Sequence, residues 1–142
     1  MTRTALSRMC LSTLLLVASA GVGAAELQVT VHEIRAQTGT LNIALVSSAD
    51  GWDGKAKPLQ ARSVTPTGTQ QAFTFTDLPA GDYGVLVTHD ENGNGKLDTN
   101  LLGMPLEGYG FSNNPKVMRK PTFDEARIHV PATGTAIDIT LR

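Results

Sequence analysis

Cysteine is almost missing from this chain: its 142 residues hold one, Cys10. Aromatic residues are scarce at 5%, so the interior must be built mainly from aliphatic side chains. No sign of charge dominates, with 12 basic and 13 acidic residues and a net charge of −1. A balance of that kind argues against a nucleic-acid partner. No apolar run approaches the roughly 20 residues that a membrane helix needs. Beyond Ala25, no stretch of a dozen or so residues carries a helical apolar stripe free of Gly and Pro. What is present is a globular composition, 41% hydrophobic and 18% charged, with 14 Gly and 7 Pro to make turns.

Residues 1–25 read as a cleaved signal peptide. Arg3 and Arg8 supply a positive start, and Met9 to Ala18 a short apolar stretch. Gly23 and Ala25 are the small residues that predict a cut before Glu26; Ala18-Ser19-Ala20 offers a second place. Cys10 precedes the apolar run and follows Arg8-Met9, which is not a lipid-attachment pattern. Its loss with the leader excludes disulfides, thiol catalysis and Cys-ligated zinc from the mature chain. The expected product is residues 26–142, periplasmic or secreted, with no membrane span. Ten basic residues then face thirteen acidic ones, a net charge of −3.

Alternation of apolar and polar residues predicts short strands. It runs through Leu27–His32, Leu41–Val46, Phe73–Thr76, Tyr83–Thr88, Ala126–Val130 and Ile137–Leu141, with a weaker strand at Gln60–Val64. Gly- and Pro-rich turns separate them. About seven strands in one domain predict an all-β fold, a single antiparallel β-sandwich of Ig-like or transthyretin-like topology. A closed barrel is the alternative. One segment breaks the rhythm: residues 90–122 form a long loop, and such loops in compact domains carry function.

That loop opens Asp90-Glu91-Asn92-Gly93-Asn94-Gly95-Lys96-Leu97-Asp98. Asp90, Asn92 and Asn94 occupy positions 1, 3 and 5 of a calcium loop, and Gly95 the sharp turn at position 6. Lys96 would offer its carbonyl and Asp98 a carboxylate. Position 12 is Leu101 rather than a bidentate Glu, and a strand precedes the loop, so this is no EF-hand. Glu107 is the candidate to complete the shell. Few anionic ligands predict weak calcium affinity, of the order of 10⁻⁴–10⁻³ M. The alternative is a set of Asx-turns around two Asn-Gly pairs, with no ion.

Other candidates are less specific. Tyr109, Phe111, Asn113 and Asn114 follow the calcium-like stretch and suggest a surface for a sugar or peptide, as does Trp52 in its Gly/Asp loop. Carbohydrate or another envelope protein would be the partner. The competing reading folds these aromatics back onto the sandwich. His32 and His129 fall on the outward phase of their strands and His89 on the inward phase, which argues against a three-histidine zinc site. His89 is expected to bond loop backbone. Lys116, Arg119, Lys120 and Arg127 make a mild basic cluster, offset by Asp124 and Glu125, and read as a solvated face.

Several segments also carry a resemblance. Phe75 to Tyr83, Val87 to Asp98, Gly103-Met104-Pro105, Glu107 to Asn113 and Pro121-Thr122-Phe123 together resemble a family of small exported bacterial proteins catalogued as a domain of unknown function. The likeness covers essentially the whole mature chain. It implies an exported β-sandwich and brings no activity, substrate or catalytic residue. Leu78-Pro79-Ala80-Gly81-Asp82-Tyr83 is also similar to the turn and strand of transthyretin-like and carboxypeptidase-regulatory-like modules. The hydroxyisourate hydrolase of that fold ends in Tyr-Arg-Gly-Ser, whereas this chain ends Ile139-Thr140-Leu141-Arg142. Cross-linked surface domains of similar fold need an early-strand Lys, and residues 27–34 contain none.

The expectation is therefore a non-enzymatic exported module with a calcium-ordered loop and a binding surface beside it. The alternatives are a metal-assisted hydrolase using His89, Asp90 and Glu107, or a structural module without an ion.

Overall fold

The computed structural model describes residues 23–142. The expected leader lies outside them as far as residue 22. Ala25, one residue before the expected cut, already belongs to the first strand and is buried.

The chain order is β1 (Ala25–His32), β2 (Thr40–Val46), α1 (Ala49–Trp52), β3 (Gln60–Val64), β4 (Gln71–Leu78), β5 (Gly81–Asp90), β6 (Tyr109–Phe111), α2 (Phe123–Ala126), β7 (Ile128–Val130) and β8 (Thr135–Thr140). Two sheets pack face to face. One runs β4-β1-β8 and the other β3-β2-β5-β6, with β7 also pairing the start of β5. The alternating residues send one set of side chains between the sheets, because successive strand residues point to opposite faces. Leu27, Val29 and Val31 of β1 and Phe73 and Phe75 of β4 meet Leu41, Ile43, Leu45, Val85 and Val87 of the other sheet. Burying each such side chain stabilises the fold by about 1.5–3 kcal/mol.

Three expectations need adjustment. The sandwich is not antiparallel throughout, because β1 pairs with β8 in parallel. The chain leaves β7 running against β5, turns at Pro131–Gly134 and enters the other sheet beside β1. Residues 90–122 are not strandless, since β6 lies inside them and Thr99 bridges Pro105. Ala126 ends α2 rather than starting a strand. Thr122 and Glu125 form a reciprocal capping box there, which holds one helical turn too short for a periodic stripe to reveal.

The sheets stay distinct rather than closing into a barrel, but one margin is tied. Beyond β8, Arg142 exchanges two backbone hydrogen bonds with Tyr109 of β6, at 2.9 and 3.3 Å. A second, smaller apolar cluster sits outside the sandwich on the β2-β5-β6 face: Val46, Trp52 and Ala126, with Leu86, Phe111 and Phe123 against them. Among the described residues no helix is long and apolar enough to cross a membrane.

Candidate functional site

The outer face of the five-stranded sheet positions the site. Its register sets Asn42 of β2 beside Thr88 of β5 and Tyr109 of β6. The next rung sets Ala44 beside Leu86 and Phe111. Short side chains on the inner strands and aromatics on the edge strand give a low floor with one raised side. Trp52 closes one end. It packs against Gly84, where an added Cβ would come within 2.9 Å of the indole ring. The loop after β5 rises at the other end, and Gly103–Pro105 and Met118–Lys120 rise beyond the aromatics.

The resulting trough has a polar part and an apolar part. The polar part lies against Thr40, Asn42, Asp90, Gly95 and Lys96. The apolar part is a cavity of about 350 Å³ lined by Leu86, Leu97, Met104, Tyr109, Phe111 and Met118. That is within the range of small-molecule pockets. Thr88 and Leu97 belong to both. Tyr109 and Phe111 meet edge to face, 5.8 Å apart at 62°, so they offer a walled slot and not a flat platform. These two sequence candidates are where a ligand could touch them.

The calcium-like loop is knitted to its own backbone. Asp90 accepts the N–H of Gly93 and Asn94 on one oxygen, at 2.9 and 3.1 Å, and that of Gly95 on the other, at 2.7 Å. The Asn92 and Asn94 side-chain oxygens take the N–H groups two residues on, Asn94 and Lys96. Their amide nitrogens converge on the Asp98 carboxylate at 2.6–2.9 Å. The donated bonds from Asn94 and then Asn92 hold the Asp98 carboxyl below its usual range. Five of the six expected ligand residues are thus gathered in one loop, in an Asx-turn arrangement.

Glu107, the sixth, is spent otherwise. It is 6% exposed, and its carboxylate accepts the N–H groups of Glu91 (2.9 Å), Asn92 (3.4 Å) and Asp98 (2.9 Å). It clamps the base of the loop. Among the described residues no group of three or more His, Cys, Asp or Glu side chains is arranged to hold a metal.

His89 and Asp90 are neighbours on a strand and so project to opposite faces. His89 is fully buried, and its Nε2 donates to the Thr38 carbonyl at 2.8 Å, the loop-backbone bond expected of it. Its Nδ1 has no partner and lies 4.0 Å from Glu91 Oε1. His89, Asp90 and Glu107 therefore do not converge on one centre as the hydrolase alternative requires. Burial pushes the Glu91 carboxyl up. The Arg35 guanidinium at 2.6 Å and the Gly108 N–H outweigh that and leave it lowered.

Three binding candidates are redirected. Trp52 is 2% exposed, packs on Phe111 and Phe123, and donates Nε1–H to the Pro121 carbonyl at 2.7 Å. It is core. Asn113 donates to the Glu125 carbonyl. Asn114 grips the open margin of β8, donating to the Asp138 carbonyl and accepting the Thr140 N–H, both at 2.9 Å. The Asn114 amide thus blunts the edge of β8, and that of Asn113 ties the chain to α2.

Sequence reasoning missed Ser112 and Arg35. Ser112 Oγ accepts the Val85 N–H at 2.9 Å and donates to the Ala126 carbonyl, which pins α2 to β5. No spacing marks a lone serine of that kind. The trough had left a trace in the sequence: Ala44 and Leu86 are apolar on the phase of their strands that should face water.

A family model described as "Uncharacterized protein conserved in bacteria (DUF2141)" matches residues 29–138. No curated protein and no solved structure matches, so the transthyretin-like likeness receives no support from that side. The match spans both sheets, the trough and the loop, and the chain belongs to this bacterial family.

Proposed function

We propose that the chain is an exported, non-enzymatic binding module whose ligand lies in the trough on the β2-β5-β6 face. The observation that carries this reading is the apolar cavity between the Tyr109–Phe111 slot and Met104, which adjoins a polar end at Asp90 and Lys96 through Thr88 and Leu97. Its lining favours a ligand with an apolar chain over a sugar, because a sugar ring stacks on a flat aromatic face. The separation of His89 from Asp90 across the strand supports a binding role over a hydrolytic one. The export part rests on the pattern of residues 1–25.

The test is a titration with dodecanoate followed by the emission of the single tryptophan, Trp52, which packs against Phe111. Saturable binding is expected, and Met104→Glu should abolish it by placing a carboxylate in the cavity. An unchanged signal, or equal binding by the variant, overturns the reading.

A second part concerns the Asp90–Asp98 loop, read as a weak calcium site. Supporting it is the convergence of both Asn amides on Asp98, 2.6–2.9 Å away. Half a turn of each amide would direct two oxygens to the same place, at the loss of the bonds those oxygens accept from the Asn94 and Lys96 N–H groups. For a Kd of ~10⁻⁴ M, about 1 mM calcium adds roughly 1.4 kcal/mol. The melting point should then rise by roughly 3–7 °C. Asp98→Asn keeps the size, removes the charge and should abolish the shift. Magnesium should do less, because it demands tighter octahedral geometry. A melt indifferent to calcium leaves the loop as Asx-turns alone.

A further inference from the structure

Beyond the calcium-like loop the chain makes a stapled hairpin. Thr99 bridges Pro105, the Asn100 N–H donates to the Met104 carbonyl at 2.8 Å, and Gly103 donates back to the Asn100 carbonyl at 2.9 Å. The Asn100 side chain fixes the turn from inside, accepting the N–H groups of Leu102 (2.9 Å) and Met104 (3.0 Å). Gly103 supplies the left-handed residue, φ 77°.

The tip held this way is Leu101-Leu102, with exposures of 106% and 87%. Met118, across the cavity from the hairpin, is 87% exposed, and Leu106 is 59% exposed. Single exposed leucines are ordinary. Large apolar side chains gathered at one end, on a turn whose own hydrogen bonds hold it out, mark a contact surface.

Charge identifies the contact. Of the cations in residues 96–120, Lys96 and Lys116 are exposed and hold no acidic partner among the described residues, whereas Arg119 is paired with Glu125 and the Lys120 ammonium donates to the Trp52 carbonyl. The acidic residues there are Asp98, tied to two amides, and Glu107, buried on backbone. The Arg142 side chain joins this end through the Val117 and Pro115 carbonyls. An apolar tip with two unpaired cations, Lys96 and Lys116, in the segments before and after it thus stands on a domain whose residues 26–142 are acidic overall.

We propose that this end docks on an anionic lipid bilayer, with Leu101 and Leu102 entering the acyl region and Lys96 and Lys116 meeting headgroup phosphates. The tip is convex and aliphatic, whereas protein interfaces centre on flat or pocketed patches rich in Tyr, Trp and Arg. Interfacial membrane binding instead combines buried apolar area with attraction to anionic lipid.

The experiment is flotation of the processed protein, its N-terminus verified by mass, with vesicles of phosphatidylethanolamine and phosphatidylglycerol. Phosphatidylcholine vesicles are the neutral control. Binding to the anionic vesicles is expected to weaken with salt. Leu101→Ser with Leu102→Ser should lower the partition coefficient about thirtyfold or more. The melting point should not change, since neither side chain touches the core. Lys116→Glu should lower partition about tenfold. Overturning results are no flotation, equal flotation of the double variant, or a solution dimer that the double variant makes monomeric. Leu101 and Leu102 do not line the cavity, so dodecanoate binding and vesicle docking succeed or fail separately.

Discussion

The space between the sheets and the segment that follows β5 are held by different physics. Between the sheets lie Leu27, Val29, Val31, Phe75, Ile43 and Val87, whose stabilisation is non-directional burial. The buried polar or charged side chains among the described residues are His89, Asp90, Glu107 and Ser112, and all fall between 89 and 112. Each is spent on backbone groups of loops or neighbouring strands. Burial tolerates a range of shapes, whereas directed bonds from a carboxylate to several N–H groups specify one. The sandwich supplies stability, and the segment after it supplies a defined surface: the trough wall, the loop and the hairpin tip.

Substitutions in the two regions should therefore fail in different ways. The largest effect is expected between the sheets. Phe75→Ala should cost about 3–5 kcal/mol. It should lower the urea midpoint and speed amide exchange in every strand together. Glu107→Ala leaves three N–H groups near the base of the loop without their acceptor, a loss of about 3 kcal/mol. Here exchange should quicken first at residues 91–98, before β1 and β4 respond. If Glu107→Ala instead loosens all strands in step with Phe75→Ala, the two regions are one cooperative unit and the distinction fails. Ser112→Ala sits on the boundary. It leaves the Val85 N–H and the Ala126 carbonyl unpaired, at about 2 kcal/mol. Exchange should rise around α2 and β6 while β1 and β4 stay protected.

The same division explains what could be read from the sequence. Burial leaves a period-two trace, so β1, β2, β5 and β8 are visible in the alternation of Leu27–His32, Leu41–Val46, Tyr83–Thr88 and Ile137–Leu141. Directed bonds leave little trace. Asp90 to Asp98 is legible because calcium-type and Asx-type loops share one spacing, which is also why the sequence leaves both open. Glu107 is visible as a carboxylate near that loop, but its three backbone partners come from fold geometry and mark no pattern. Asn114 reads as a free hydrogen-bonder because nothing local announces the β8 margin beside it. Trp52 in a Gly/Asp loop looks exposed until Gly84 is found facing it across the sheet.

The smallest and most selective effect is acid sensitivity. Arg119 grips Glu125 through two bonds of 2.7 and 2.8 Å, and the Thr122 N–H adds a third. Together they hold the Glu125 carboxyl down to about 2, from an ordinary 4.5. Asp98 and Glu91 are lowered too, for the reasons given above. A carboxyl lowered in the folded state is protonated first in the unfolded chain as pH falls. Its contribution is therefore complete above the unfolded value and is lost as pH drops through the folded one. For Glu125 that window runs from about 4.5 down to about 2. These pairs are largely exposed, so the loss should be modest and smaller still at high salt. Urea midpoints measured from pH 7 to pH 2 should hold steady to about 4.5 and then decline. Glu125→Gln should start lower at pH 7, having lost the Arg119 pair, and fall less steeply. Amides around 91–98 and 122–126 should lose protection in acid before those of β1 and β4. A midpoint flat to pH 2.5 would mean that these carboxylates contribute nothing to folding. A decline equal in the variant would move the acid sensitivity from α2 to the Asp98 and Glu91 end of the segment.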